Sequence, residues 1–191
     1  MRLKIEAVSH RRWLMFTWAV TRLGLFLALS SSCSFNVQAQ STTGGQISIS
    51  DLSSRSDMIV IGRVVSIQSE WNAARTNIYT KVDVNVDEVL KGSLSSGNLI
   101  VYQLGGQVGD IGEIVAGSPE FRPGELVLLF LSQTKDAKLR VVDLFQGKFT
   151  IEHDPASGVE IAVRRVPGIR QPLDKISLEE AKKLIRAALG K

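Results

Sequence analysis

Cysteine and histidine are nearly missing from this 191-residue chain, which holds one Cys, Cys33, and two His, His10 and His153. One thiol cannot form an internal disulfide, and the absence of HExxH and CxxC patterns takes away the usual zinc sites. Ser/His/Asp chemistry needs a base oriented by a carboxylate, whereas His153 stands beside the turn signal Asp154–Gly158. Long apolar runs are missing too. Arg22 interrupts the apolar residues from Trp13 to Leu29, and Leu23–Leu29 is only about a third of the ~20 residues that a bilayer crossing requires.

The N-terminus has the layout of an export signal. Arg11, Arg12 and Arg22 precede the apolar core Leu23–Leu29, and Val37-Gln38-Ala39 supplies small residues for cleavage, predicting removal of residues 1–39. Met15 offers an alternative start. Cys33 after Ser30-Ser31-Ser32 offers a lipidated alternative, although the usual aliphatic residue three positions earlier is missing.

Cleavage would remove five of the 23 basic residues and one of the 19 acidic ones, leaving 18 of each. The apparent basicity belongs to the leader. A mature chain of zero formal charge lacks the attraction that nucleic acid binding demands, so no nucleic acid partner is expected. It would also hold no cysteine, and its stability must come from an apolar core.

The remaining residues read as mainly β. Ser41–Gly45 suits a flexible start and Ile47–Arg55 a short helix, making residues 40–56 a lead-in. Met58–Ile67 is apolar on both faces with Gly62 at a bulge or bend, as in a strand buried on both sides. Tyr79–Val86 alternates strictly, Thr80, Val82, Val84 and Val86 inward, and the phase slips at Asp87-Glu88. Further strands are predicted at Leu99–Gln103, Gly112–Ala116, Leu126–Leu131, Leu139–Val142, Lys148–Glu152 and Val159–Val163. Many short strands over residues 57–166 imply a closed or partly open antiparallel barrel. Residues 167–191 read as a connector, with Pro167, Gly168 and Pro172, and an amphipathic helix capped by Ser177 and ended by Gly190. That helix carries Leu178, Ala181, Leu184, Ile185, Ala188 and Leu189 as its apolar stripe.

Two loops stand out as candidate contacts. Trp71 falls in the polar stretch Glu70–Asn77 with Arg75, where an exposed Trp would serve a partner and a packed one would cover a barrel end. The segment Leu104–Gly112 carries Gly105, Gly106 and Gly109. It lacks the Lys-Ser/Thr of a P-loop and fits a tight turn or bulged hairpin, with a ligand loop as the alternative. No catalytic residue, metal ligand or cofactor is assigned. Asp87 and Glu88 would face opposite sides of a strand, Phe130 and Phe149 read as core, and His153 as an exposed turn residue.

The phrases DMIVIGRVVSI, YTKVDVNVDEVLKG, QLGGQVGDIG, GSPEFRPGELVLLFL and FQGKFTI, from Asp57 to about Ile151, resemble a family of uncharacterised exported bacterial proteins. A strand followed by a long curled strand ending in VLKG also resembles the OB-like barrel of tissue inhibitors of metalloproteinases and netrin modules. That likeness implies an OB-like barrel with a binding role, and a protease as one class of extracytoplasmic protein partner. The inhibitors chelate zinc through an N-terminal cysteine; here the expected first residue is Gln40, so that clamp is not carried over. The expectation is an exported, non-catalytic interaction module. A lipid-anchored envelope structural protein and an extracytoplasmic enzyme are the alternatives.

Overall fold

The computed structural model describes residues 45–190. The expected leader 1–39, its cleavage site and Cys33 lie outside the described residues.

Helix α1 (Ile49–Arg55) begins where Ser48 Oγ accepts the Asp51 amide at 3.0 Å. Three strands follow, β1 (Met58–Trp71), β2 (Ile78–Lys91) and β3 (Asn98–Leu104), then a small hairpin of β4 (Gly106–Val108) and β5 (Ile111–Glu113). Next come β6 (Leu126–Gln133), β7 (Leu139–Val141), a 3-10 turn (Leu144–Gly147), β8 (Lys148–His153), β9 (Glu160–Arg165), β10 (Pro172–Ser177) and α2 (Leu178–Ala188).

Five strands close a barrel in the order β1-β2-β3-β7-β6, with β6 returning to β1. All pairings are antiparallel except β3 with β7, which meet in parallel at Val101 and Leu139. This is an OB-like Greek-key barrel. From β6 the sheet continues outward through β8, β9 and β10.

The two-sided apolar run of β1 has a cause, and β6 shares it. Val60 and Val64 of β1 and Val127, Leu129 and Leu131 of β6 fill the barrel with Val82, Val84, Leu99 and Val101. Their neighbours Ile59, Ile61, Leu128 and Phe130 face the other way, into a second core with Leu52 of α1, Phe149 of β8 and Leu178, Ala181 and Ile185 of α2. The wall shared by β1 and β6 is therefore buried on both faces, and burying each such Leu, Ile or Phe is worth about 1.5–3 kcal/mol. The rings of Phe130 and Phe149 meet at 5.9 Å, tilted by 58°. Leu184 and Ala188 stay exposed, so the buried stripe of α2 is narrower than its pattern suggests.

Strand curvature comes from bulges. The β1–β2 register slips between Ile61 and Gly62 because Asp87 is the extra residue between Val86, opposite Gly62, and Glu88, opposite Ile61. At Gly62 a Cβ would collide with the Asn85 carbonyl and lie 2.9 Å from Val84 Cγ1, so the close approach requires glycine.

Two expectations are corrected. The predicted connector at 167–175 ends in strand β10, which pairs with β9 through Lys175–Val163 and Ile176–Ala162. Pro172 is tolerated because it is the first residue of an edge strand, where no ladder donor is needed. The predicted strand Gly112–Ala116 stops at Glu113, because its partner β4 is three residues long and Gly105 (φ +86°) turns the chain away toward β3.

Candidate functional site

The two loops singled out in the sequence meet at one barrel end. The glycine segment is a hairpin, β4 and β5, whose turn contains Gly109 at φ +60°. Gly106, at φ +136°, lies directly on the side chains of Ser69 and Thr80, and an added Cβ would overlap both hydroxyls. Gly105 donates its amide to the Ile78 carbonyl at 2.8 Å, and Glu113 Oε2 accepts the Ile78 amide at 2.7 Å. The hairpin is thus fastened across the start of β2.

Trp71 lies on β1, opposite Ile78, not in the loop. By strand alternation it shares a face with Ile67 and Ser69, and it is half-buried. The loop itself spans residues 72–77. Asn72 Oδ1 accepts the amides of Thr76 at 2.8 Å and Asn77 at 3.3 Å, and the Arg75 amide reaches the Asn72 carbonyl at 2.9 Å. This leaves Arg75 exposed at the tip with φ +53°. Asn77 reaches Glu113 Oε1 at 3.5 Å, which joins loop and hairpin.

Beneath the hairpin a cleft of about 630 Å³ opens into the barrel mouth. Its floor is apolar, with Ile67 and Val82. Above it runs a polar row across three strands, Ser69 opposite Thr80 and Thr80 opposite Gln103. Thr80 donates its only proton to the Gly105 carbonyl at 2.7 Å, so at the 2.9 Å contact between the hydroxyls Ser69 is the donor. Gln103 Oε1 is buried without a hydrogen-bond partner. Gly105 and Gly106 line this cleft, whereas Trp71, Arg75 and Gly109 do not.

A second cleft of about 520 Å³ was not foreseen. At its centre Lys148, 9% exposed, faces Glu125, 11% exposed, at 2.5 Å. Lys148 Nζ also donates to the Glu120 carbonyl and to Thr150 Oγ1 at 3.4 Å, and it lies 4.9 Å from the Phe121 ring centroid. Burial pushes the Lys148 ammonium below its ordinary value, against the pull of the Glu125 carboxylate. Three acceptors saturate its three protons, so this ammonium holds the fold together and has none to offer a ligand. Lys148, Thr150 and Glu152 alternate like a solvent face. Nothing local announces that the segment Pro119–Glu125 covers it.

Arg164 is likewise structural. It is 1% exposed and ion-paired with Asp174 at 2.8 Å, with bonds to the Ile47 and Gln146 carbonyls and its guanidinium 4.8 Å from the Phe149 ring centroid. His153 is exposed at the end of β8. Glu88 pairs with Lys182 at 2.8 Å while Asp87 is exposed. Among the described residues no three His, Cys, Asp or Glu side chains are grouped to hold a metal, and no helix is long and apolar enough to cross a membrane. No protein-family model and no curated protein matches this chain.

Proposed function

We propose that this chain is an exported, non-catalytic module that binds an extracytoplasmic protein through the hairpin β4–β5 and the barrel-mouth cleft beneath it. One observation carries the reading: the hairpin and the residues after it hold Ile111, 56% exposed, and Ile114, 96% exposed, out in water beside a cleft that Ile114 also lines. An exposed apolar pair next to a concave apolar floor is the anatomy of an interface centre. The OB-like barrel and the arginine-rich leader support the same reading, the first as a scaffold that presents loops, the second as the route to the compartment.

The test is capture of extracytoplasmic partners by the processed protein, side by side with an Ile111→Ser/Ile114→Ser variant. The wild type is expected to retain a partner that the variant loses at unchanged thermal stability. Equal retention by both proteins would reject the hairpin as the contact surface.

A further inference from the structure

We propose that the second cleft, over β8 and β9, docks an acidic, extended segment of a partner protein. This deepens the interaction reading by giving the partner another contact, and rests on that reading for the partner being a protein. Its starting point is a mismatch of free charge. Four cations line the cleft, Arg122, Lys148, Arg165 and Arg170, against the carboxylates of Glu120, Glu125 and Glu152. Glu125 is taken up by Lys148, Thr150 and the Arg122 amide, and Glu152 by Arg165 through contacts of 2.8 and 3.0 Å. One oxygen of Glu120 accepts the Gly168 amide at 2.9 Å. Arg122 and Arg170 are exposed, and among the described residues neither guanidinium has an ion-pair or hydrogen-bond partner.

The two free guanidinium groups stand on a preset frame. Arg122 belongs to Pro119–Glu125, the segment that covers Lys148, and Arg170 ends a turn in which the Ile169 amide reaches the Val166 carbonyl at 3.0 Å. The bond between Glu120 and Gly168 ties the two segments together, so neither has to be ordered when a ligand arrives. Their charge is felt inside the cleft. After burial, which dominates, Arg122 and Arg165 also press the Lys148 ammonium down, against the pull of Glu125. Ile169, 54% exposed, adds an apolar wall with Phe145, Val166 and Pro167.

Charge complementarity picks the occupant. A guanidinium pairs with a planar carboxylate through two parallel bonds, and these arginines come from separate segments, so they suit separate carboxylates along a chain rather than one anion. The apolar wall asks for apolar side chains among the acidic ones. A nucleic acid strand fits less well, because residues 40–191 carry as many acidic as basic groups and three carboxylates share the lining. The cleft is also continuous with the barrel mouth, since Pro119, Glu120, Arg122 and Pro167 line both. A partner seated at the hairpin therefore reaches it without a break.

The probe is a capped octapeptide alternating glutamate with leucine, titrated into the processed protein and read by amide chemical shifts. The same peptide with lysine for glutamate, and a deoxythymidine oligomer, are the comparisons. The acidic peptide is expected to saturate, to weaken with salt and to shift the amides of residues 120–122 and 168–170. Arg122→Gln/Arg170→Gln should lower its affinity about tenfold at an unchanged urea midpoint, because both side chains are exposed and unpaired. Lys135→Gln, which removes an exposed cation between β6 and β7, should leave the affinity unchanged. Equal binding of the lysine peptide, unchanged affinity in the double arginine variant, or tighter binding of the deoxythymidine oligomer would overturn the proposal. If Ile111→Ser/Ile114→Ser loses a captured partner that Arg122→Gln/Arg170→Gln keeps, the interaction reading stands and this one falls. The converse result keeps this cleft and rejects the hairpin.

Discussion

Removing the carboxylate of Glu125 should be among the most damaging single changes outside the apolar cores. Glu125 Oε1 accepts from Lys148 Nζ and from Thr150 Oγ1, both at 2.5 Å, and Oε2 accepts the Arg122 amide at 2.9 Å. Glu125→Ala therefore strands an ammonium that is 9% exposed, together with a hydroxyl and a backbone N–H. Breaking a buried pair from one side costs about 3–5 kcal/mol, which is a large share of the roughly 5–15 kcal/mol that holds a domain of this size. In urea, with a slope near 2 kcal/mol per molar, the midpoint should fall by about 2 M with the slope unchanged. Replacing both partners, Glu125→Leu with Lys148→Met, should restore most of the loss, since two apolar groups leave no orphaned charge. Glu152→Ala, which breaks the exposed pair with Arg165, is the control and should move the midpoint far less. A Glu125→Ala cost below about 1 kcal/mol, the level of a surface pair, would refute the argument that this site is desolvated.

The same lysine predicts a pH effect. Its folded value lies below 10.5, so between the two values the unfolded chain binds more protons. Wild type should gain stability relative to Lys148→Met as pH rises across that window and lose the gain as pH falls through the folded value; a flat difference in urea midpoints up to pH 10.5 would contradict this. Gly106→Ala combines φ +136° with overlap on Ser69 and Thr80 and should cost more than the roughly 1–3 kcal/mol of backbone strain alone, read as a drop in unfolding temperature. Gly109→Ala has open space around the new methyl and should cost only about 1–2 kcal/mol for its φ of +60°. Arg164→Met should cost about 1–3 kcal/mol, because it leaves the Ile47 and Gln146 carbonyls without this donor while Asp174, 27% exposed, keeps its bond from Gln46. Hydrogen exchange should then quicken first in β10, and uniform quickening across the barrel would argue against a local clasp.

Local chemistry alone was enough for the elements that repeat a simple pattern. Ser177 does cap α2, accepting the Glu180 amide at 3.2 Å, and the phase slip at Asp87-Glu88 is a real bulge, because an extra residue shows directly as a broken alternation. The two-sided run of β1 announced burial on both faces before either neighbour was known, whereas β6 read only as a strand. The glycine hairpin was legible for the same reason: positive φ at Gly105, Gly106 and Gly109 is a property of single residues. Trp71 was misplaced because a polar neighbourhood in sequence resembles a loop, while strand pairing with Ile78 is decided by the partner strand.

What the amino-acid order determined by itself was therefore most of the strands, the inward face of β2, the Ser177 cap and the bulge at Asp87-Glu88, all governed by interactions within a few residues. Closure of the barrel through a parallel contact between Val101 and Leu139 was a tertiary decision. So was the burial of Lys148 beneath Pro119–Glu125, of Arg164 against Ile47 and Asp174, and of the unpaired Gln103 oxygen at the barrel mouth. A period-two pattern says which side of a strand a residue takes. It does not say what will cover that side, and the covering segments here are tens of residues away in the chain, so the environments of these polar groups exist only once the fold has closed.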